Sequence, residues 1–136
     1  MASPVRWYAS DTDNLIIVDT ASNVVGVYEG ELGNWREANY FACADGKPST
    51  PTIHGVFSLG VKGYYFDSGN CRCFYYSQIA GDYLFHSVLY YQTPSPRYVM
   101  DGTLGASVSH GCVRLALGDA YYIYAYVPSG TTVVVY

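Results

Sequence analysis

Seven consecutive residues near the C-terminus, Ser109 to Leu115, carry the side chains best suited to covalent chemistry in this chain. They include the thiol of Cys112, the imidazole of His110 and the flexible backbone of Gly111, while a second histidine, His86, lies upstream in a hydrophobic segment. A thiol becomes a good nucleophile only when a base removes its proton, and an imidazole commonly does so. A glycine before the cysteine also permits a tight turn whose N–H groups can face an oxyanion. The stretch therefore predicts a cysteine acyltransferase with Cys112 as nucleophile and His86 or His110 as its base.

Two alternative roles for these residues remain open. Free cysteine is among the most buried residue types, so Cys112 could be a structural core residue. Cys71, Cys73, His110 and Cys112 together also provide four ligands of the kind that bind zinc. Each pair has a single intervening residue, however, which is a shorter spacing than structural zinc sites favour. We therefore expect no bound metal and no cofactor.

Length, composition and charge restrict the class of protein. A chain of 136 residues is one domain that can bury a single core. The net charge is −4 and the seven basic residues are scattered, which argues against nucleic-acid binding. No apolar run approaches the roughly 18 residues of a membrane span. The first residues lack the features of a signal peptide, and we expect residues 1–10 to be a linker or an altered start of the chain.

The four cysteines are too few for a disulfide scaffold at this length. If Cys112 stays free for chemistry, at most one disulfide can form among the other three. Cys71 and Cys73 would project from the same face of a strand at a separation that strains a mutual bridge. Pairing of Cys43 with Cys71 or Cys73 is therefore the more plausible disulfide.

Short apolar segments separated by glycine-rich turns predict a mainly β protein, and sixteen tyrosines fit that composition. Strands are expected near residues 14–19, 24–28, 35–44, 55–59, 64–66, 71–76, 82–89 and 131–136. The apolar spacing of residues 119–126 predicts a helix. Residues 90–108 contain two prolines and two glycines and are expected to form a long irregular lid. The pattern is typical of a sandwich or a barrel.

Several of these segments resemble the L,D-transpeptidase catalytic domain of the YkuD type. The family motif of Ser/Thr-His-Gly-Cys after an upstream histidine is similar to Ser109–Arg114 together with His86-Ser87. Residues 16–28 look like the opening hairpin of the family, residues 47–57 like its Thr-Pro-rich segment, and residues 127–133 like its closing region. The interval between His86 and Ser109 is longer than is common in the family, and the N-cap position of the helix is Ala116 instead of a serine.

The resemblance implies a β-sandwich of mostly antiparallel strands with one helix after the cysteine, formed by residues 1–136 as a single catalytic domain. It also implies roles for individual residues. Cys112 is expected to be the nucleophile, His86 the general base, and the backbone carbonyl of Ser87 the group that orients the His86 ring. The N–H groups around Cys112 would form the oxyanion hole. The remaining residues expected to shape the pocket or bind substrate are Ser109, His110, Gly111, Arg114 and Tyr90.

The function that the resemblance implies is peptidoglycan L,D-transpeptidation. Cys112 would attack the third residue of a tetrapeptide stem, release the terminal D-alanine and pass the acyl group from a thioester to a second stem, giving a 3→3 cross-link. The alternatives are an L,D-carboxypeptidase and a non-catalytic cell-wall-binding module. The expected partners are stem peptides and carbapenem β-lactams, and the expected location is extracytoplasmic.

Overall fold

A computed structural model describes residues 5–136, which form twelve β-strands and the helix α1. The elements are β1 Asn14–Asp19, β2 Val24–Glu29, β3 Arg36–Gly46, β4 Gly55–Ser58, β5 Lys62–Ser68, β6 Cys71–Ala80, β7 Tyr83–Ser87, β8 Leu89–Tyr91, β9 Val99–Asp101, β10 Ala106–Ser109, β11 Val113–Leu115, α1 Leu117–Tyr126 and β12 Thr132–Val135. The prediction of a mainly β protein with a helix after Cys112 is confirmed.

The long strand β3 connects two halves of the sheet. Its first part pairs with β2, and its last residues pair with β10 and β11. The hydrogen-bonded order is β4-β12-β1-β2-β3-β11-β7-β6-β8-β9, with β5 alongside β6. Side chains from both halves and from α1 meet in one buried cluster, so the halves face each other across a common core as in a sandwich.

Strand β1 shows why the sequence forms this core. Its residues alternate between the two faces of the sheet. Ile16 and Val18 enter the main cluster, whereas Leu15 and Ile17 enter a second one with Val5. Both faces of the strand are therefore buried, which explains its continuous apolar run.

The start of the chain is more closely packed than the sequence suggests. Val5 is only 3% exposed and belongs to the second cluster. The backbone carbonyl of Tyr8 accepts a 2.8 Å hydrogen bond from Trp35 Nε1. Residues 5–8, in the segment where a linker is expected, therefore pack on the domain, while residues 1–4 lie outside the described residues.

Helix α1 begins after Ala116, where no side chain caps the first N–H groups. Its buried residues are Ala120 and Ile123. At the other end, Lys62 Nζ donates to the carbonyls of Ile123 at 3.0 Å and Tyr124 at 3.1 Å, and also to that of Val127. A cation at this position satisfies carbonyls that a helix C-terminus leaves without partners.

The expected lid at residues 90–108 is not an irregular loop. Strands β8 and β9 pair antiparallel as a hairpin, and β8 continues the sheet alongside β6. Strand β10 then runs parallel to β3. The sequence pattern does not indicate these strands because they have only three or four residues and because Pro94 and Pro96 interrupt the segment.

Candidate active site

Parallel pairing of β7 with β11 brings the two parts of the sequence motif together. Arg114 pairs with His86 and Val113 pairs with Phe85. Cys112 directly precedes β11, so it lies at the start of the same strand pair. A histidine and a cysteine that are far apart in sequence thus reach one end of the sheet through strand register.

A cavity of about 420 Å³ opens at this place. Five of the residues predicted from the sequence line it: Cys112, His86, His110, Ser109 and Arg114. The residues of the wall that sequence reasoning did not assign to the site are Phe66, Ser68, Cys71, Cys73, Asp82 and Leu89.

The ring of His86 is buried and held in one orientation. Its Nδ1 lies 2.6 Å from the backbone carbonyl oxygen of Ser87. Because a carbonyl can only accept, Nδ1 must carry the proton, which leaves a lone pair on Nε2. The ring packs edge-on against Phe66 at a centroid distance of 5.3 Å. The pKa of His86 is lowered from 6.5 to about 4, mainly by burial and to a smaller extent by the charge of Arg114, while the hydrogen bond with the Ser87 carbonyl opposes the change. His86 is therefore a neutral base at neutral pH.

The thiol of Cys112 is partly exposed and donates to the backbone carbonyl of Asp82 at 3.3 Å. Burial raises the pKa of Cys112 above its ordinary value of 9.0. The charge of Asp82 also raises this pKa, and a hydrogen bond with the backbone of Leu84 opposes the rise. At neutral pH the cavity is therefore lined by a neutral thiol and a neutral imidazole.

Ser109 fixes the turn that presents the thiol. Its Oγ donates to the Cys112 carbonyl at 2.6 Å and accepts from the Gly111 N–H at 3.1 Å. Ser109 is only 3% exposed. Its hydroxyl is thus engaged within the protein, and its position supports a role in placing Cys112 more than the predicted contact with substrate.

Gly111 has a conformation that other residues adopt only with strain. Its φ is +128°, and an added Cβ would lie 3.0 Å from the ring of Tyr83. Only glycine adopts such a backbone freely. The turn before the thiol therefore requires the glycine of the motif.

A second segment, residues 50–52, stabilises this turn through side-chain hydrogen bonds. Thr52 Oγ1 donates to the Gly111 carbonyl at 2.7 Å and accepts from the Gly46 N–H at 2.9 Å. Thr50 Oγ1 donates to the Ser109 carbonyl at 3.0 Å. Sequence reasoning did not assign a role to either threonine. The signal that could have found them is the Thr-Pro-Thr run at residues 50–52, which lies in a segment that resembles the family.

Arg114 extends a buried cation into the cavity. Its side chain is 7% exposed, and Nη1 lies 3.4 Å from Asp101 Oδ2 on β9. Within the described residues, Nε is buried without a hydrogen-bond partner, and the long contact with Asp101 is the polar contact that Nη1 makes. A guanidinium that lines a cavity can bind a carboxylate by charge-assisted hydrogen bonds. The sequence did not identify Asp101, because its proximity depends on the β8–β9 hairpin.

The other predicted site residues take different positions. Ser87 is buried, and its hydroxyl accepts a hydrogen bond from the Phe74 N–H and donates one to the Val88 carbonyl. His110 is exposed at the cavity. Tyr90 is not among the residues of the cavity wall, because its ring packs against Phe74 at 5.5 Å in a separate buried cluster. Its position gives no support to the predicted contact with substrate.

All four cysteines are free. The thiol of Cys43 is buried in the main core near Asp45, whereas Cys71 and Cys73 line the cavity. The predicted pairing of Cys43 with one of them is therefore wrong, because the side chains enter different parts of the protein.

Among residues 5–136, no three side chains of His, Cys, Asp or Glu are grouped to hold a metal, so the geometry does not support the zinc alternative. In the same residues, no helix has the length and hydropathy to cross a membrane.

Comparison with solved structures shows the same fold elsewhere. A crystal structure from Clostridium acetobutylicum, of a protein named as a fused Zn-dependent amidase/peptidase/peptidoglycan-binding domain-containing protein, has a TM-score of 0.79 and 45% identity. The match covers 93% of this chain and 53% of that one. The L,D-transpeptidase LdtMt1 in complex with imipenem has a TM-score of 0.68 at 21% identity, over 91% of this chain and 59% of that one. The second likeness shows the fold alone.

Sequence comparisons identify the family. The Bacillus subtilis protein named "Putative L,D-transpeptidase YciB" is 38% identical over 55 residues, which is 40% of this chain and 28% of that protein. The chain thus covers less than two thirds of the proteins it resembles. The family model of the YkuD L,D-transpeptidase catalytic domain matches residues 13–135. The chain belongs to the L,D-transpeptidase family.

Proposed function

We propose that this protein is a cysteine-dependent L,D-transpeptidase that acts on peptidoglycan stem peptides. The observation that carries the proposal is one cavity that combines a partly exposed thiol, a neutral oriented imidazole and a buried cation. These groups match the needs of acyl transfer from a peptide that carries a free carboxylate.

In the first half-reaction, Cys112 attacks the carbonyl at the L-centre of the third stem residue. The thiol proton moves to Nε2 of His86 as the C–S bond forms, and the imidazolium then protonates the amine of the departing D-alanine. The oxyanion is stabilised by backbone N–H groups of the turn. Because the Gly111 N–H already bonds Ser109, we assign the main contact to the N–H of Cys112.

Arg114 orients the donor stem. Its side chain lines the cavity, and among residues 5–136 its one ion pair is the 3.4 Å contact with Asp101. A substrate carboxylate that enters the cavity would give this buried cation a second charged partner. Arg114 therefore contributes to binding and to the placement of the scissile carbonyl beside Cys112.

The second half-reaction passes the acyl group from the thioester to an amine of another stem and gives a 3→3 cross-link. Water as the acceptor would give an L,D-carboxypeptidase. We further propose that carbapenems acylate Cys112 and that the protein acts outside the cytoplasm, where its substrate is located. The complex of a neighbour of the same fold with imipenem supports the first of these points.

A product assay with a purified disaccharide-tetrapeptide tests the proposal. A transpeptidase yields a cross-linked dimer and free D-alanine, whereas a carboxypeptidase yields the tripeptide monomer and free D-alanine. If folded protein yields neither product, catalysis is refuted and a cell-wall-binding module remains. The Cys112→Ala variant is the matched control and should release no D-alanine.

A further inference from the structure

The cavity carries opposite charges at its two ends. Strands β7 and β11 run parallel, and Asp82 and Cys112 directly precede them. Arg114 lies further along β11, beside His86. Since a strand advances about 3.3 Å per residue, Arg114 is displaced from Cys112 by about 6–7 Å along the strand. The side chain of Asp82 therefore provides a negative charge at the thiol end, and Arg114 a positive charge beyond His86.

The position of Asp82 does not help to activate the thiol. A carboxylate near a thiol disfavours the thiolate, and the charge of Asp82 contributes to the raised pKa of Cys112. The side chain is exposed at the cavity, and no ion pair among residues 5–136 involves it. The carboxylate of Asp82 therefore disfavours the thiolate of Cys112 and has no cationic partner in the described part of the chain. Such a charge is suited to attract a cationic group of a substrate to the reacting sulfur.

We propose that Asp82 binds the cationic amine of the acceptor stem peptide and guides it to the acyl group on Cys112. This inference rests on the proposed transpeptidase function and assigns the acceptor site to the Asp82 end of the cavity. Arg114 and the donor carboxylate then occupy the other end, so the two stems approach the thioester from different sides.

The acceptor step balances without a further reagent. The ammonium group held near Asp82 first releases one proton to solvent. Its nitrogen then attacks the thioester carbonyl and transfers a second proton to Nε2 of His86. The C–S bond breaks, His86 protonates the Cys112 sulfur, and the amide product leaves. Asp82 contacts the ammonium group before the attack but exchanges no proton with it, so its role is to bind and place the acceptor.

The test compares two nucleophiles that differ in charge. Wild type, Asp82→Asn and the exposed control Asp11→Asn are incubated with an isotope-labelled tetrapeptide donor. The acceptor is either a disaccharide-tripeptide with its ammonium group or hydroxylamine, which is largely uncharged at neutral pH. Dimer, hydroxamate and labelled tripeptide are quantified by mass spectrometry, and the rate of acylation by a carbapenem is measured separately.

We expect Asp82→Asn to lower the dimer-to-tripeptide ratio about two- to fivefold, the range of an exposed ion pair. The hydroxamate-to-tripeptide ratio and the acylation rate should not fall, and Asp11→Asn should behave as wild type. An unchanged dimer ratio, or an equal loss with both nucleophiles, would overturn the inference while leaving the proposed function intact. If wild type shows no acylation and no product, the proposed function itself fails, and the inference fails with it.

Discussion

The neutral state of His86 has a measurable consequence for stability. In the unfolded chain the imidazole has a pKa near 6.5, whereas burial in the native protein lowers its pKa to about 4. Between these values the unfolded state binds more protons than the native state, so the free energy of unfolding falls as the pH falls. The contribution of His86 is complete above pH 6.5 and is lost as the pH decreases toward 4.

The size of this loss follows from the two pKa values. One pKa unit corresponds to about 1.36 kcal/mol. Acidification from pH 7 to below 4 should therefore remove about 3 kcal/mol through His86 alone. This is a large share of the roughly 5–15 kcal/mol that is typical of a domain.

Urea denaturation from pH 7 to pH 3.5 measures the effect in wild type and in His86→Asn. The asparagine can still donate to the Ser87 carbonyl but does not titrate, and the carboxylates that titrate in both proteins cancel in the difference. Wild type should lose about 3 kcal/mol more than the variant over this range. NMR titration of the His86 ring gives the native pKa directly and does not depend on the folding of a variant. Parallel stability curves, or a native pKa near 6.5, would refute the burial of a neutral base.

Three further substitutions test how the site is built. Ser109→Ala removes two hydrogen bonds of the turn, so urea denaturation should show a loss of about 2–3 kcal/mol and carbapenem acylation should slow; an equal loss in the exposed control Ser129→Ala would contradict this. Gly111→Ala places a Cβ against Tyr83 at positive φ and should cost about 1–3 kcal/mol; unchanged stability would show that the turn adapts. Arg114→Lys keeps the charge but loses the planar fork, so it should raise the KM for a tetrapeptide donor about tenfold or more; an unchanged KM would exclude carboxylate binding by Arg114.

Much of the fold could be predicted because the strongest signals are local. The apolar runs at residues 14–19 and 24–28 form the β1–β2 hairpin, and the apolar face of residues 119–126 identifies α1, which begins only two residues earlier. These patterns depend on side-chain periodicity alone. The match of the family model to residues 13–135 confirms the resemblance that the motifs indicate.

Sequence-based prediction fails where strand pairing over long distances decides the structure. Residues 90–108 contain prolines and glycines, yet β8 and β9 form because β6 offers an edge for pairing. The pairing of β8 with β6 also places the ring of Tyr90 in the buried cluster that contains Phe74. The predicted disulfide of Cys43 is wrong for a related reason, because spacing along the sequence does not show which core a thiol enters.

The sequence predicted the reactive side chains of the site better than the residues that position or surround them. The motif identified Cys112 and His86, which the structure places on one cavity. It did not identify Thr52, Asp82 or Asp101, whose contacts come from separate loops and strands. Such residues have no fixed spacing from the motif, since only the tertiary fold brings them close.

The central claim is that Cys112 carries the acyl group. It is tested most directly by intact-mass analysis and peptide mapping after incubation with a carbapenem. We predict one covalent adduct per chain, located on the peptide that contains Cys112 and absent from Cys112→Ala. Cys71 and Cys73, which line the same cavity, serve as internal controls. No adduct on folded wild type, or an adduct on Cys71 or Cys73 instead, would contradict the assignment of Cys112 as the nucleophile.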